Sequence, residues 1–288
     1  MYTFLDENEI DNSLINQTNV SIISAPLACS VSWGRGTDEG PASIIDASKA
    51  LETFDDELCI ETYRVGIETL TPLNLQELSS AEACTRIKQA VVAELHKGRL
   101  PLLLGGEHTV TVPAVEACLE KYRNLHVLQI DAHLDLRQSY ENNPLSHACV
   151  MRRIHDMGIT FTQVGIRSFS RSEWEFVKQK DLSPFTMHWI RQNPDWLEKV
   201  CDRINSPLYI TIDVDGFDPA VMPATGTPEP DGLLWHEATQ LLQRVCEQNK
   251  IVGLDFVELA PASGQQFASF TVAKLIYRTL GYIFKKTL

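Results

Sequence analysis

Long apolar runs are missing from this 288-residue chain: no uninterrupted stretch reaches the roughly 18 residues that a membrane-spanning helix needs, so no membrane contact is expected. The opening Met1-Tyr-Thr-Phe-Leu-Asp-Glu-Asn-Glu carries neither a basic leader nor an apolar core of the secretory kind, and the expectation is a cytoplasmic protein. Cysteine pairs are missing too. Cys29, Cys59, Cys84, Cys118, Cys149, Cys201 and Cys246 are odd in number, scattered, and never in a C-x-x-C arrangement. A disulfide framework and a thiolate zinc site are therefore not expected, and the thiols should be reduced and mostly buried as small apolar side chains. Basic charge is scarce: 25 Lys and Arg against 38 Asp and Glu give a formal net charge of -13. A nucleic-acid backbone needs a basic face, so nucleic acid is not an expected partner, whereas a small cation or a metal ion suits this field. No Ser/Gly-rich linker or block of like charge divides the chain, and one domain spanning residues 1–288 is expected.

What is present is a rhythm. Short apolar runs at Val20–Ser24, Leu102–Leu104, Leu125–Ile130, Phe161–Val164, Leu208–Ile212 and Val252–Phe256 read as strands. Between them, helical periodicity runs through Pro41–Thr53, Leu75–His96, Val110–Tyr122, Pro194–Ile204, His236–Gln248 and Phe267–Phe284. Alternation of this kind predicts an α/β fold, a mainly parallel sheet covered by helices. Ligands of such sheets bind beyond the carboxyl ends of the strands, so polar residues should gather just after the apolar runs.

They do so four times. After Leu102-Leu-Leu come two glycines, Glu107 and His108, where glycine lets the backbone turn and approach a ligand closely. After Leu128-Gln-Ile come Asp131, His133 and Asp135 at every second position; in extended chain all three point to one side. After Tyr209-Ile-Thr-Ile come Asp213 and Asp215, two carboxylates that would repel each other at a buried strand end unless a cation lay between them. Asp218, in Asp-Gly-Phe-Asp-Pro, has the chemistry of a turn. After Leu254-Asp255-Phe-Val comes Glu258, a carboxylate suited to pairing with a planar cation. Four carboxylates and two imidazoles without a thiolate exceed what one tetrahedral ion needs, and suit two first-row ions such as Mn²⁺ sharing bridging carboxylates. Ni²⁺, Co²⁺ or Fe²⁺ could take the same donors. Such a pair activates water at neutral pH, which is hydrolytic chemistry.

Taken together, Gly105-Gly-Glu-His108, Asp131-Ala-His133-Leu-Asp135, Ser146-His147, Asp213-Val-Asp215 and Glu258 resemble, in order, the motifs of the ureohydrolase family of arginases and agmatinases. The resemblance extends from about Ala25 to Leu280. Within the family, Ser146–Arg153, Gln163–Ser168 and Ala224–Gly232 are most similar to agmatinases. The resemblance implies a three-layer α/β/α fold, assembly into homo-trimers or homo-hexamers, and two Mn²⁺ ions held by His108, Asp131, His133, Asp135, Asp213 and Asp215. It implies His147 as proton shuttle, Glu258 as the anchor of a small cationic guanidino substrate, and Asp135 as a stabiliser of the tetrahedral intermediate. The implied reaction converts agmatine to putrescine and urea, a step of polyamine biosynthesis.

Two positions depart from the pattern: Thr109 stands where serine is commoner, and Ala148-Cys149 replaces the Gly-Thr that often follows the loop histidine. The second puts the substrate's tail in question, so arginine, guanidinobutyrate or another guanidino acid, guanidine, and formiminoglutamate stay open as alternatives. Asn142, Asn143, Arg152 and Trp235 are the residues to inspect at the far end of the pocket. A non-catalytic relative should have lost a ligand or Glu258, and none is lost.

Overall fold

The computed structural model describes residues 2–30, 33–261 and 266–288. In chain order the first half contains β1 (Val20–Ala25), α1 (Gly40–Ser48), β2 (Phe54–Asp55), β3 (Ile60–Glu61), β4 (Ile67–Thr69), α2 (Ser80–His96), β5 (Leu100–Gly105), α3 (Thr111–Lys121) and β6 (His126–Ile130). The second half contains α4 (Val150–Asp156), β7 (Thr160–Ile166), α5 (Arg171–Gln179), β8 (Phe185–Thr186), α6 (Met187–Gln192), α7 (Trp196–Cys201), β9 (Leu208–Asp213), α8 (Trp235–Gln248), β10 (Ile251–Val257) and α9 (Gln266–Phe284). Eight strands form one sheet in the order β4-β1-β5-β10-β9-β6-β7-β8, and every neighbouring pair is parallel.

The strands at the centre are apolar on both faces because both faces are covered. One apolar cluster joins Leu102, Leu128, Ile210 and Leu254 to Ile44 of α1, Leu241 of α8 and Ile276 of α9. The other joins Leu103, Val127, Tyr209 and Val257 to Ile87 of α2, Val115 of α3, Ile154 of α4 and Val177 of α5. Alternate residues of one strand therefore feed opposite cores, and the expected three-layer α/β/α arrangement holds.

All six expected strands form, five of them one or two residues longer at one or both ends and β6 a residue shorter, starting at His126. The helices differ more. α1 ends at Ser48 rather than Thr53, and α7 is confined to Trp196–Cys201 within the expected Pro194–Ile204. α2 begins at Ser80, because Ser79 and Glu82 close a reciprocal capping box; Leu75, expected as its first residue, lies in the preceding turn. Of the seven free thiols only Cys118, Cys149 and Cys246 are buried, which corrects the expectation that most would be; Cys29 and Cys59 lie exposed in connecting segments.

Candidate metal centre

The chain reverses its walk across the sheet around the four central strands β5, β10, β9 and β6, and each ends in one of the polar clusters. The turn after β5 is possible only without a side chain at Gly106, where a Cβ would lie 2.1 Å from Leu27 O. At the end of β9 a Cβ on Gly216 would meet Asp131 N at 2.8 Å, so the two acidic loops pack backbone to backbone.

These turns bring the six expected ligands together. His108, Asp131 and Asp213 each offer one donor atom within 4.8 Å of the others, and so do Asp131, His133 and Asp215. Asp131 belongs to both sets, as a bridging carboxylate must. His108 Nδ1 lies 3.2 Å from Asp131 Oδ2, 3.0 Å from Asp135 Oδ2 and 3.4 Å from Asp213 Oδ2. His133 Nδ1 lies 3.0 Å from Asp215 Oδ2 and 3.5 Å from Asp131 Oδ1. Relative exposures are 0% for Asp131, 6% for Asp135, 4% for Asp213 and 3% for Asp215, and no lysine or arginine pairs with any of them among the described residues.

The surrounding hydrogen bonds orient these groups as a metal site would require. Thr211 Oγ1 donates to Asp255 Oδ1 at 2.6 Å and so accepts from His108 Nε2 at 2.8 Å, which leaves a lone pair on Nδ1 toward the carboxylates. That Nδ1 is buried and makes no hydrogen bond among the described residues. Gln129 Nε2 holds Asp131 Oδ2 at 2.6 Å, and Gln163 Nε2 in turn holds Gln129 Oε1 at 2.6 Å. Burial, with the charges of Asp215 and Asp131, pushes Asp213 well above the usual carboxylate range. Burial and Asp131 push Asp135 to about 7. Burial alone would depress His133, yet Asp215 and Asp131 raise it to about 12. Carboxylates this crowded ionise together only around added positive charge, so the donor set fits a pair of divalent cations.

Glu258 and His147 open onto the same cavity, which has a volume of about 360 Å³. Glu258 N donates to Gly106 O at 2.8 Å and its Oε1 accepts from His108 N at 2.7 Å, tying the fourth polar cluster to the first. Burial raises its carboxyl to about 8. Ser30 Oγ lies 3.1 Å from His147 Nδ1, and Ser30 N donates to Glu107 Oε2 at 2.6 Å. Burial lowers His147 to about 4.

The far wall differs from expectation. Asn142, Asn143, Arg152 and Trp235 do not line the cavity. Asn143 closes a local turn by accepting from Leu145 N, Arg152 pairs with Asp156 over the Phe176 ring, and Trp235 begins α8 against the core. Arg137, Tyr140, Ser168, Glu173, Thr225 and Glu229 stand there instead. Ala148 also faces the cavity, whereas Cys149 is buried. Asp218 accepts from Ala220 N and Gly232 N, the turn role expected of it.

A profile of the arginase family matches residues 18–281. An N(1)-aminopropylagmatine ureohydrolase of Synechocystis is 33% identical over 91% of this chain and 88% of its own length. An agmatinase of Pyrococcus horikoshii is 31% identical over 98% of each chain. The crystal structure of the agmatine ureohydrolase of Thermoplasma volcanium superposes with a TM-score of 0.89 at 30% identity, covering 100% of this chain and 96% of that one. The chain accordingly belongs to the arginase family and is a hydrolase of guanidino C–N bonds.

Proposed function

We propose that this protein hydrolyses agmatine to putrescine and urea, with His108, Asp131, His133, Asp135, Asp213 and Asp215 holding two Mn²⁺ ions. The placement of Glu258 carries the reading: a carboxylate pinned to the His108 backbone at 2.7 Å, on the wall of the cavity that His108, His133, Asp135, Asp213 and Asp215 also line. A carboxylate pairs with a planar guanidinium through two parallel hydrogen bonds, which fixes both position and orientation. Such a cation would also favour the ionised form of Glu258, which burial otherwise lifts to about 8.

Bound at this cluster, the ions supply Lewis acidity and a water activated at neutral pH. The chain's own residues do the rest. Glu258 presents the guanidinium carbon to the ligand cluster. Asp135, at the cavity floor, accepts hydrogen bonds from the nitrogen-bearing centre as it becomes tetrahedral. His147, hydrogen-bonded to Ser30 on the cavity wall, carries a proton from the attacking water to the departing amine. The same reading carries a cytoplasmic enzyme of polyamine synthesis that assembles as a homo-trimer or homo-hexamer of one-domain chains.

N(1)-Aminopropylagmatine is the second reading, favoured by the names of the 33%-identical relatives from Synechocystis and Thermus thermophilus. Urea release from agmatine, N(1)-aminopropylagmatine, arginine, 4-guanidinobutyrate and guanidine, with formamide release from formiminoglutamate, decides among them. The highest kcat/KM on agmatine is expected; the highest on a carboxylate-bearing compound overturns the proposal.

A further inference from the structure

Beyond the ligand cluster and Glu258 the cavity wall carries three further charged side chains among the described residues, Arg137, Glu173 and Glu229. Two of them offset each other. Arg137 Nε lies 3.7 Å from Glu173 Oε2, and its guanidinium covers the Tyr140 ring at 5.2 Å. Glu173 is engaged further, accepting from Leu136 N, Ser170 N and Ser170 Oγ at 3.1, 2.9 and 2.7 Å. Glu229 is different. Its Oε1 accepts from Ser168 Oγ at 2.8 Å, and no lysine, arginine or histidine lies within ion-pair distance of it among the described residues.

The loop bearing Glu229 is held without using that carboxylate. Arg167 Nη2 donates to Glu229 O at 2.7 Å and to Asp215 O at 2.6 Å, and its Nε donates to Pro230 O at 3.0 Å. One guanidinium thus ties the backbone of Glu229 to the backbone of a candidate ligand, at a fixed offset from the site of hydrolysis. Trp33, 75% exposed, and Phe169 line the same cavity, and their ring faces attract cations. The cavity wall therefore carries one carboxylate without a salt-bridge partner among the described residues, the neighbouring Arg167 guanidinium being spent on backbone carbonyls.

We propose that Glu229 reads the tail of the substrate, selecting a terminal ammonium and rejecting a terminal carboxylate. The proposal rests on the reading of this site as a guanidino hydrolase and adds the residue that sets the class of tail. An ammonium placed there meets a charge-assisted hydrogen bond, whereas a carboxylate meets a like charge. Arg137 does not invert this choice, because Glu173 already holds its charge.

Kinetics of the Mn²⁺-loaded wild type and Glu229→Gln on agmatine and on 4-guanidinobutyrate test it. Glutamine keeps an oxygen for Ser168 and removes only the charge. The expected result is a loss of tenfold or more in kcat/KM on agmatine, mostly in KM, with 4-guanidinobutyrate unchanged or improved. An unchanged ratio between the two substrates overturns the proposal. Should the wild type cleave neither compound, the hydrolytic reading fails by itself, and calorimetric titration with putrescine still decides the subsite. Binding weakened by Glu229→Gln supports it, and equal or absent binding in both proteins overturns it. Ser168→Ala, which frees the carboxylate from its hydroxyl, gives a smaller shift in the same direction if Glu229→Gln fails to fold.

Discussion

Asp135 and Glu258 have φ angles of 52° and 64°, in the left-handed region that residues with a side chain rarely occupy. Each such residue costs about 1–3 kcal/mol, which surrounding structure has to overcome, and here both lie at the mouth of the ligand cluster. Glu258 is held there by the two hydrogen bonds to the Gly106–His108 turn. Glu258→Gln keeps an acceptor for His108 N but loses the charge proposed to face the guanidinium. We expect it to bind metal as the wild type does and to lose at least tenfold in kcat/KM, about 1.4 kcal/mol. Asp131→Ala should instead lose metal and activity together, because Asp131 serves both halves of the cluster. Metal analysis beside urea release checks both, and full activity in metal-replete Glu258→Gln would remove the anchor role. At this scale the ligands were readable because a period of two on extended chain puts Asp131, His133 and Asp135 on one side. Arg137 and Glu229 were not, since each is a single charged residue whose neighbours come from other loops. Ser168 and Glu229 do fall inside the segments that resemble agmatinases.

Among the elements, capping chemistry explains two differences between pattern and structure, the start of α2 and the presence of α5. α5 was missed from apolar periodicity alone, yet Ser170 and Glu173 close a capping box at its start, a signal written as S-x-x-E in the sequence. The same Glu173 accepts from Leu136 N, so one cap anchors both α5 and the loop after Asp135. Ser170→Ala should cost about 1 kcal/mol. β4 and β8, of three and two residues, lie at the two edges of the sheet and are too short to show a period. α9 is locked to the small β2–β3 hairpin by Arg278, 7% exposed, whose Nε, Nη2 and Nη1 pair with Asp55, Asp56 and Glu57. Arg278→Met would leave Asp55 buried with its charge uncompensated except by Lys274 at 4.0 Å. A loss of about 3 kcal/mol follows, a fall of roughly 5–10 °C in Tm for a domain of this size. An unchanged melting temperature would contradict that role.

For the whole molecule, the sheet order decides what its acidity does: four central strands collect carboxylates at one end, and the formal charge of -13 is partly a property of that site. The α/β class was legible because parallel strands buried on both faces are uninterrupted apolar runs. The order of the strands was not, since it depends on which crossovers skip a neighbour. Acid sensitivity has a separate source in His126, 3% exposed, with Thr160 Oγ1 at 3.1 Å from Nδ1 and Thr162 Oγ1 at 2.9 Å from Nε2. Burial lowers it from 6.5 to about 4, so the unfolded chain takes up a proton before the folded one. Its contribution is complete above pH 6.5 and is lost as pH falls from 6.5 toward 4. Thermal melts should show a shallower loss over that window in His126→Gln than in the wild type; parallel curves would refute this. The central claim concerns the cluster itself, and the most direct measurement is urea release from agmatine as Mn²⁺ is titrated into chelator-treated protein. The account predicts no urea without metal and a plateau at two ions per chain; full release without metal, or none at any loading, would contradict it.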